Sequence, residues 1–147
     1  MENSSLYDQN TFYGQFERDL RRARHEVIIE SPFITTRRMT ALLPILAKLR
    51  SRGVAVIINT KDPVEHDGDY CRQALEAVSM MQEMGILVLY TVGHHRKLAI
   101  IDNEVFYEGS LNILSFSDSC EIMRRVVSSV QAEQLIDFIG MKNYVER

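Results

Sequence analysis

Apolar side chains recur at helical spacing in four segments of the chain. Within each segment single apolar residues or adjacent pairs recur every three or four residues, which places them along one face of an α-helix. The four sets are Phe12, Phe16, Leu20 and Ala23; Leu42, Ile45, Leu46 and Leu49; Cys71, Ala74, Leu75, Val78 and Met81; and Leu135, Ile136 and Ile139. We therefore expect four amphipathic helices, each packing its apolar face against a common core.

Local signals mark the ends of these helices. Ser128 and Gln131 have the spacing of a capping box, so the last helix is expected to begin there. Gly85 and Gly140 suit the position after a helix end, because glycine readily adopts the left-handed backbone conformation found there. Proline lacks the amide hydrogen that a helix interior requires, so Pro44 is expected in the opening turn of the second helix.

Short apolar runs rich in β-branched residues separate the helices. The first three, at residues 27–29, 54–58 and 86–90, are continuously apolar and do not alternate. Continuous runs are typical of strands that helices cover on both faces. Because these strands alternate with helices, the pattern favours parallel pairing through crossover connections.

After the third strand the pattern changes to that of a β-hairpin. Residues 98–101 and 105–107 are apolar runs separated by Asp102-Asn103, a pair suited to a tight turn. A further strand is expected at residues 122–127. We therefore predict one α/β domain over residues 1–147, with a mixed, mostly parallel β-sheet sandwiched between helices.

Side chains suited to binding a phosphate lie beside this hairpin. His95 and Lys97 are two residues apart at the start of its first strand, where alternation places them on the same face. Ser110 and Asn112 are likewise two apart, just after its second strand. If the two strands pair, all four groups converge. Lysine supplies positive charge, serine and asparagine supply neutral donors, and histidine can attack phosphorus or donate a proton.

The order and spacing of these residues resemble the signature of the phospholipase D superfamily. That signature is His-x-Lys followed after four residues by Asp, here His95, Lys97 and Asp102. The Gly-Ser-x-Asn stretch at residues 109–112 falls where the family has its second phosphate-binding element, and Glu121 falls where it places an acid that orients the histidine. The chain is similar to the small bacterial endonucleases of that superfamily, which implies a phospholipase D-like fold.

The resemblance implies a metal-independent phosphodiesterase that uses no cofactor. In such a mechanism His95 attacks phosphorus and forms a phosphohistidine. Lys97, Asn112 and Ser110 would stabilise the transition state. Glu121 would fix the imidazole tautomer.

A second histidine is needed to protonate the leaving oxygen, but the sequence contains a single His-x-Lys pair. A homodimer would supply the second copy. The alternative is that the chain is a piece of a longer protein, fused to or associated with a helicase or another DNA-processing domain.

Three other polar features are interpreted as structural. Asp102 faces away from His95 and Lys97 by strand alternation, so we assign it to support of the turn and not to contact with substrate. His94 also faces the opposite way and is interpreted as a surface or packing residue. The acidic cluster at residues 65–69 has no recognisable metal-ligand spacing, so a solvated loop is expected there.

The composition is that of an ordinary soluble globular protein. Hydrophobic residues make up 46% and charged residues 25% of the chain, and the formal net charge is −3. That charge counts against a long electropositive groove but permits a local basic patch. Cys71 and Cys120 are far apart and lack ligand-like spacing, and Cys71 is interpreted as a small core residue.

The expected location is the cytoplasm, without insertion into a membrane. No apolar run approaches the roughly 20 residues of a membrane span. The first ten residues lack the basic and apolar regions of a secretion signal.

Nucleic acid is the preferred substrate, because short single-motif bacterial relatives are commonly nucleases. Arg37, Arg38, Arg124 and Arg125 are candidate phosphate contacts, with ordinary exposed charge as the alternative interpretation. A phospholipid substrate would favour an exposed apolar lip or a basic amphipathic helix, and neither is evident. A third alternative is a non-catalytic, dimerising nucleic-acid-binding module. The presence of every expected chemical group argues against it.

Overall fold

Seven strands and four α-helices form residues 3–145, the part of the chain that the computed structural model describes. The strands are β1 (Ser4–Asp8), β2 (Glu26–Glu30), β3 (Ala55–Lys61), β4 (Leu87–Thr91), β5 (Leu98–Ile101), β6 (Val105–Gly109) and β7 (Ile122–Val127). The α-helices are α1 (Phe12–Arg21), α2 (Thr36–Ser51), α3 (Gly68–Glu83) and α4 (Ser129–Phe138). Short 3-10 helices lie at Pro63–Glu65 and Lys142–Tyr144.

The strands form one mixed sheet in the order β1-β7-β6-β5-β2-β3-β4. Strands β2, β3 and β4 pair in parallel through the crossover helices α2 and α3, as the alternation of strands and helices predicts. The other neighbouring pairs within residues 3–145 are antiparallel. The prediction of a mostly parallel sheet is therefore wrong, because the hairpin, β7 and β1 add an antiparallel half that joins the parallel half between β5 and β2.

Strand β1 is an element that the hydrophobic pattern does not reveal. Its sequence, SSLYD, is mostly exposed, because it forms an edge of the sheet beside β7. Backbone pairing with β7 holds it in place more than apolar burial does. A polar edge strand leaves little hydrophobic periodicity in the sequence.

The helices cover both faces of the sheet. Helices α1, α2 and α3 pack on one face, over side chains such as Val27 and Ile29. Helix α4 packs on the other face, where Ile136 meets Ile28 and Ile100. Burial on both faces explains why β2, β3 and β5 are continuously apolar. The apolar strand β4 lies at the edge of the sheet and is partly exposed, so the expectation that helices cover it on both faces is wrong. Within the described residues, no helix is both long enough and apolar enough to cross a membrane.

Two details of the helices differ from expectation. Pro44 lies well inside α2 and not in its opening turn, because the helix already begins after Thr35, whose hydroxyl accepts a hydrogen bond from the Arg38 amide at 3.4 Å. The buried side of α3 consists of Ala74, Ala77, Val78 and Met81. Leu75 is exposed and Cys71 is only partly buried, so the interpretation of Cys71 as a core residue is wrong. The contact face of α3 therefore includes Ala77, which the predicted apolar set lacks, and excludes Leu75.

Asp102 and Asn103 form the tight turn between β5 and β6. Both have positive φ angles, 55° and 51°, which a type I′ hairpin turn needs at its two central positions. The Glu104 amide closes the turn by donating to the Ile101 carbonyl at 3.1 Å. The predicted hairpin is confirmed, and its register positions the residues described next.

Candidate active site

The hairpin brings the His-x-Lys and Gly-Ser-x-Asn stretches to the same edge of the sheet. Leu98, at the start of β5, pairs with Glu108, near the end of β6. The Gly109 amide donates to the Lys97 carbonyl at 3.3 Å. In an antiparallel pair the start of one strand lies beside the end of the other. Lys97, which precedes β5, is therefore beside Ser110, which follows β6.

Gly109 is required where β6 passes close to β7. A Cβ atom at this position would collide with the carbonyl oxygen of Ile122 and press against Met123. The close approach lets the Ser110 amide donate to the Ile122 carbonyl at 2.9 Å. The Ser110 hydroxyl accepts a hydrogen bond from the Ile122 amide at 3.0 Å. The glycine of the motif thus fixes the position of the serine hydroxyl.

Glu121 joins Ser110 and Lys97 in one electrostatic cluster. Its carboxylate accepts a short hydrogen bond from the Ser119 hydroxyl. The hydroxyls of Ser110 and Ser119 lower the pKa of Glu121 below its ordinary value, and the Lys97 ammonium lowers it further. Glu121 is therefore an anion at neutral pH, held near the lysine. Its orientation of the His95 imidazole stays a prediction.

Asn112 opens onto a cavity of about 250 Å³. Its side-chain oxygen is buried and has no hydrogen-bond partner within residues 3–145. Because rotation about the last bond exchanges the two ends of a carboxamide, this position can present either a donor or an acceptor to a ligand. Glu121, Arg38, Tyr13 and Phe116 line the same cavity.

His95 is exposed, and its imidazole makes no hydrogen bond within the part of the chain that the structure describes. Its backbone carbonyl accepts a hydrogen bond from the Lys97 ammonium at 2.8 Å. The ring is therefore free to meet a ligand or a group from another chain.

Glu30 anchors the residues on either side of His95. It is fully buried at the end of β2 and accepts two hydrogen bonds from the Arg96 guanidinium, at 2.7 and 3.0 Å. The Asn59 side chain donates another at 2.7 Å, and Nε2 of the buried His94 lies 3.5 Å from the carboxylate. Burial by itself would raise the pKa of Glu30, but His94, Arg96 and Asn59 outweigh it, and the pKa is lowered. A buried anion thus ties this segment to the sheet.

Sequence reasoning missed the Glu30 network. A glutamate directly after the apolar run at residues 27–29 was an available signal, because a carboxylate in a buried strand requires partners. The sequence does not reveal which residues those partners are, because Arg96 lies 66 residues further along the chain.

Asp102 supports the backbone that leads into β2. Its carboxylate accepts hydrogen bonds from the amides of Arg24, His25 and Glu26, at 2.9, 2.8 and 3.0 Å. These bonds tie the hairpin turn to the start of the neighbouring strand. They engage both carboxylate oxygens.

The adjacent arginines Arg37 and Arg38 stack on aromatic rings near the cavity. The Arg38 guanidinium carbon lies 3.5 Å from the centre of the Tyr13 ring and 5.8 Å from that of Phe116. Arg37 is exposed and lies 3.6 Å from the centre of the Phe116 ring. Of the two, Arg38 lines the cavity beside Asn112.

The other two candidate arginines lie in different surroundings. Arg124 lines a groove of about 530 Å³, which Lys97 also lines. Arg125 forms an ion pair with the buried Asp19 at 2.8 Å, and Asp19 also accepts a short hydrogen bond from Tyr107. The structure therefore does not bring the four arginines together, and the guanidinium of Arg125 already has an anionic partner.

The acidic residues Glu65, Asp67 and Asp69 are exposed, as predicted, but the segment 65–69 is not a loop throughout, because Glu65 ends a 3-10 helix and Asp69 lies in the first turn of α3. Glu65 accepts a hydrogen bond from the Gly93 amide at 3.1 Å, two residues before His95. The His66 ring lies 3.0 Å from the Pro32 carbonyl. In the described part of the chain, no group of three or more His, Cys, Asp or Glu side chains is arranged to hold a metal ion.

Comparison with known proteins identifies a family. The sequence matches the family model described as "Cardiolipin synthase, PLD-like domain" over residues 16–140. No curated protein sequence gives a significant match.

Several solved structures share the fold. Nuc, a phospholipase D family member from Salmonella typhimurium, is 17% identical with a TM-score of 0.75, over 98% of this chain and 97% of Nuc. NucT from Helicobacter pylori is 17% identical with a TM-score of 0.65, over 92% and 91%. TrmBL2, an archaeal chromatin protein with a novel mode of DNA binding, is 13% identical with a TM-score of 0.67, over 98% and 52%. At these identities the similarity establishes the fold alone.

Proposed function

The chain belongs to the phospholipase D-like family, and we propose that it is a phosphodiesterase that cleaves DNA or RNA through a phosphohistidine intermediate. One observation carries the proposal. Lys97, Ser110 and Glu121 form one cluster at the edge of the sheet. His95 lies on the same segment as Lys97, and Asn112 lies on the same segment as Ser110. The side chains of His95 and Asn112 are both open to a ligand. These two adjoining segments carry a nucleophile, a cation and neutral donors, the groups that phosphoryl transfer requires.

The proposed reaction has two steps. In the first, the imidazole of His95 attacks phosphorus, a phosphorus–nitrogen bond forms, and the leaving oxygen departs with a proton from a second histidine. In the second, that histidine takes a proton from water, whose oxygen attacks phosphorus and displaces the imidazole. Lys97 and Asn112 would stabilise the negative charge on the non-bridging oxygens in both steps. Because Lys97 supplies positive charge, the proposed chemistry needs no divalent cation.

In this proposal a second copy of the chain completes the active site. The sequence has a single His-x-Lys pair, and the His95 ring is exposed. The groove that Lys97 lines is bordered by the exposed apolar residues Leu6, Ile122 and Phe138. A subunit related by a two-fold axis would cover these residues and bring its own His95 to the same phosphate.

Nucleic acid is the proposed substrate on grounds of local charge and of fold. The chain as a whole has a formal net charge of −3. Even so, Arg38 lines the same cavity as Asn112 and Glu121. The positive charge of Lys97 is close enough to lower the pKa of Glu121. Among proteins with this fold, TrmBL2 is described as binding DNA.

A chelator tests this proposal directly. Purified protein would be incubated with plasmid, single-stranded DNA and a fluorescent phospholipid, each with and without excess EDTA. We expect cleavage of nucleic acid that persists in EDTA, because the charge that neutralises phosphate resides on Lys97. The His95→Ala protein, purified in the same way, controls for contaminating nucleases.

Each other outcome of this assay has a distinct meaning. Activity that is lost with EDTA and restored by magnesium would contradict the mechanism. Cleavage of the lipid alone would make the protein a phospholipid phosphodiesterase. Binding of DNA without cleavage of any substrate would indicate a non-catalytic nucleic-acid-binding module.

A further inference from the structure

The cavity beside Asn112 contains a positively charged side chain that the reaction at His95 does not use. Arg38 lines this cavity together with Asn112 and Glu121 of the motif. We propose that Arg38 binds a second phosphate of the nucleic-acid strand, next to the phosphate that is cleaved. This inference rests on the proposed function and gives it a substrate class: a strand with a phosphate at every nucleotide, as opposed to an ester with a single phosphate.

The orientation of the Arg38 guanidinium suits a phosphate. Its face lies on the Tyr13 ring, with the guanidinium carbon 3.5 Å from the ring centre. A guanidinium donates hydrogen bonds only in its own plane, and stacking leaves that edge free. The buried Nε has no hydrogen-bond partner within residues 3–145. Two parallel donors at the edge of a guanidinium match two oxygens of a phosphate.

The guanidinium of Arg38 is available to an anionic ligand. It forms no ion pair with a carboxylate in the part of the chain that the structure describes. Tyr13 is not a counter-ion, because burial raises the pKa of its hydroxyl, which donates to the Ile113 carbonyl at 2.7 Å. The carboxylates of Asp118 and Glu121 also line the cavity, but neither forms an ion pair with Arg38, and Glu121 accepts a hydrogen bond from the Ser119 hydroxyl. An anionic ligand could therefore bind the Arg38 guanidinium without displacing a carboxylate from it.

The backbone holds Arg38 at a fixed position relative to Asn112. The Thr35 hydroxyl accepts hydrogen bonds from the amides of both Arg38 and Phe116, at 3.4 and 2.8 Å. The Thr35 amide donates to the Leu114 carbonyl at 3.0 Å. The start of α2 is thereby tied to the segment that follows Asn112. A site that is rigid before binding loses little entropy when a ligand binds.

Binding of a strand with one neutral linkage tests the proposal. The probe is a fluorescent single-stranded hexanucleotide in which one methylphosphonate replaces each phosphate in turn, and affinity is measured by anisotropy. The variants are Arg38→Gln, Arg38→Lys and, as a matched control, Lys48→Gln. For the binding measurements every protein, the wild-type reference included, carries His95→Ala so that the strand stays intact. Lys48 is an exposed residue at the other end of α2, so its loss changes the net charge equally.

We expect Arg38→Gln to weaken binding of the unmodified strand about tenfold or more, the value of a hydrogen-bonded charged pair. Lys48→Gln should change it less than about twofold, because exposed charges contribute little. At one position, the neutral linkage should weaken wild-type binding by a similar factor. It should have no further effect on Arg38→Gln, since the partner is already absent. Arg38→Lys keeps the charge but not the paired donors and should fall between wild type and Arg38→Gln.

Two results would overturn the inference. One is equal affinity of Arg38→Gln and Lys48→Gln. The other is a penalty from the neutral linkage that is the same in wild type and Arg38→Gln at every position. If thermal unfolding shows that Arg38→Gln does not fold, Arg38→Lys decides, and wild-type values for its affinity and its linkage penalty would overturn the inference.

A cleavage assay separates this inference from the proposed function. Wild-type cleavage of the unmodified strand is measured beside binding. Binding that depends on Arg38, without cleavage, supports the second-phosphate site and contradicts the proposed enzyme activity. Cleavage together with binding that does not depend on Arg38 supports the proposed enzyme activity and contradicts the second-phosphate site.

Discussion

His94 and His95 are adjacent in the sequence but differ in their surroundings. His95 is exposed at the edge of the sheet, whereas His94 is buried against Glu30. We therefore expect His95→Ala to abolish cleavage without lowering stability. His94→Ala should lower the free energy of unfolding by about 1–3 kcal/mol, because it removes a buried side chain. Cleavage assays and urea unfolding measure the two effects. An active His95→Ala protein beside a stable but inactive His94→Ala protein would contradict the assignment of the nucleophile.

At the scale of elements, Glu30 at the end of β2 holds the segment that carries His95 and Lys97. It acts through Arg96 and His94 and does not contact the proposed substrate, so it is a positioning residue. Glu30→Gln should lower kcat about tenfold or more with a smaller change in KM, because misplaced reactive groups slow the chemical step more than binding. The exposed Glu83→Gln in α3 is the matched control. Equal kinetics of the two variants would exclude the positioning role.

The pH dependence of stability provides a second test of the Glu30 network. The pKa of Glu30 is lowered in the folded protein, because His94, Arg96 and Asn59 outweigh burial, which by itself would raise it. Its charge therefore stabilises the fold above the unfolded pKa of about 4.3, and this contribution is lost as the pH falls through the lower folded value. The free energy of unfolding of wild type should exceed that of Glu30→Gln at neutral pH, and the difference should shrink below about pH 4. A difference that is constant from pH 7 to pH 3 would contradict this.

The elements that could be predicted are those specified by neighbouring residues. The hairpin turn follows from Asp102-Asn103, and the start of α4 follows from Ser128, which accepts a hydrogen bond from the Gln131 amide at 3.1 Å. Strand β1 and the antiparallel pairings of β5 with β2, β6 with β7 and β7 with β1 could not be predicted, because pairing partners far apart in sequence leave no local pattern.

The candidate site likewise has a part that could be predicted from the sequence and a part that could not. The spacing of His95, Lys97, Ser110 and Asn112 could be read directly, because the hairpin that joins them is local. The Glu30 network and the stacking of Arg38 on Tyr13 could not, because each depends on contacts between distant segments. Periodicity reports which side chains are buried, but not which distant side chain each one meets.

At the scale of the whole molecule, the proposal requires two chains for one active site. Attack by one imidazole places the leaving oxygen on the opposite side of phosphorus, so the same ring cannot easily protonate it. The second imidazole must face the first across the substrate. Because one ring must be neutral and the other protonated, the rate should show a bell-shaped dependence on pH.

Mixed dimers test the shared site. A wild-type chain and a His95→Ala chain with different affinity tags would be co-expressed and the heterodimer purified through both tags. If each subunit carries a complete site, the heterodimer should retain about half of the wild-type activity. If the site is shared, activity should be nearly absent, because one of the two histidine roles is empty. A heterodimer of wild type with Lys48→Gln, which keeps both histidines, should be fully active and controls for the tags. Half-active heterodimers with His95→Ala, or a fully active monomer in sedimentation, would rule out the shared site, because either result requires one chain to supply both the nucleophile and the acid.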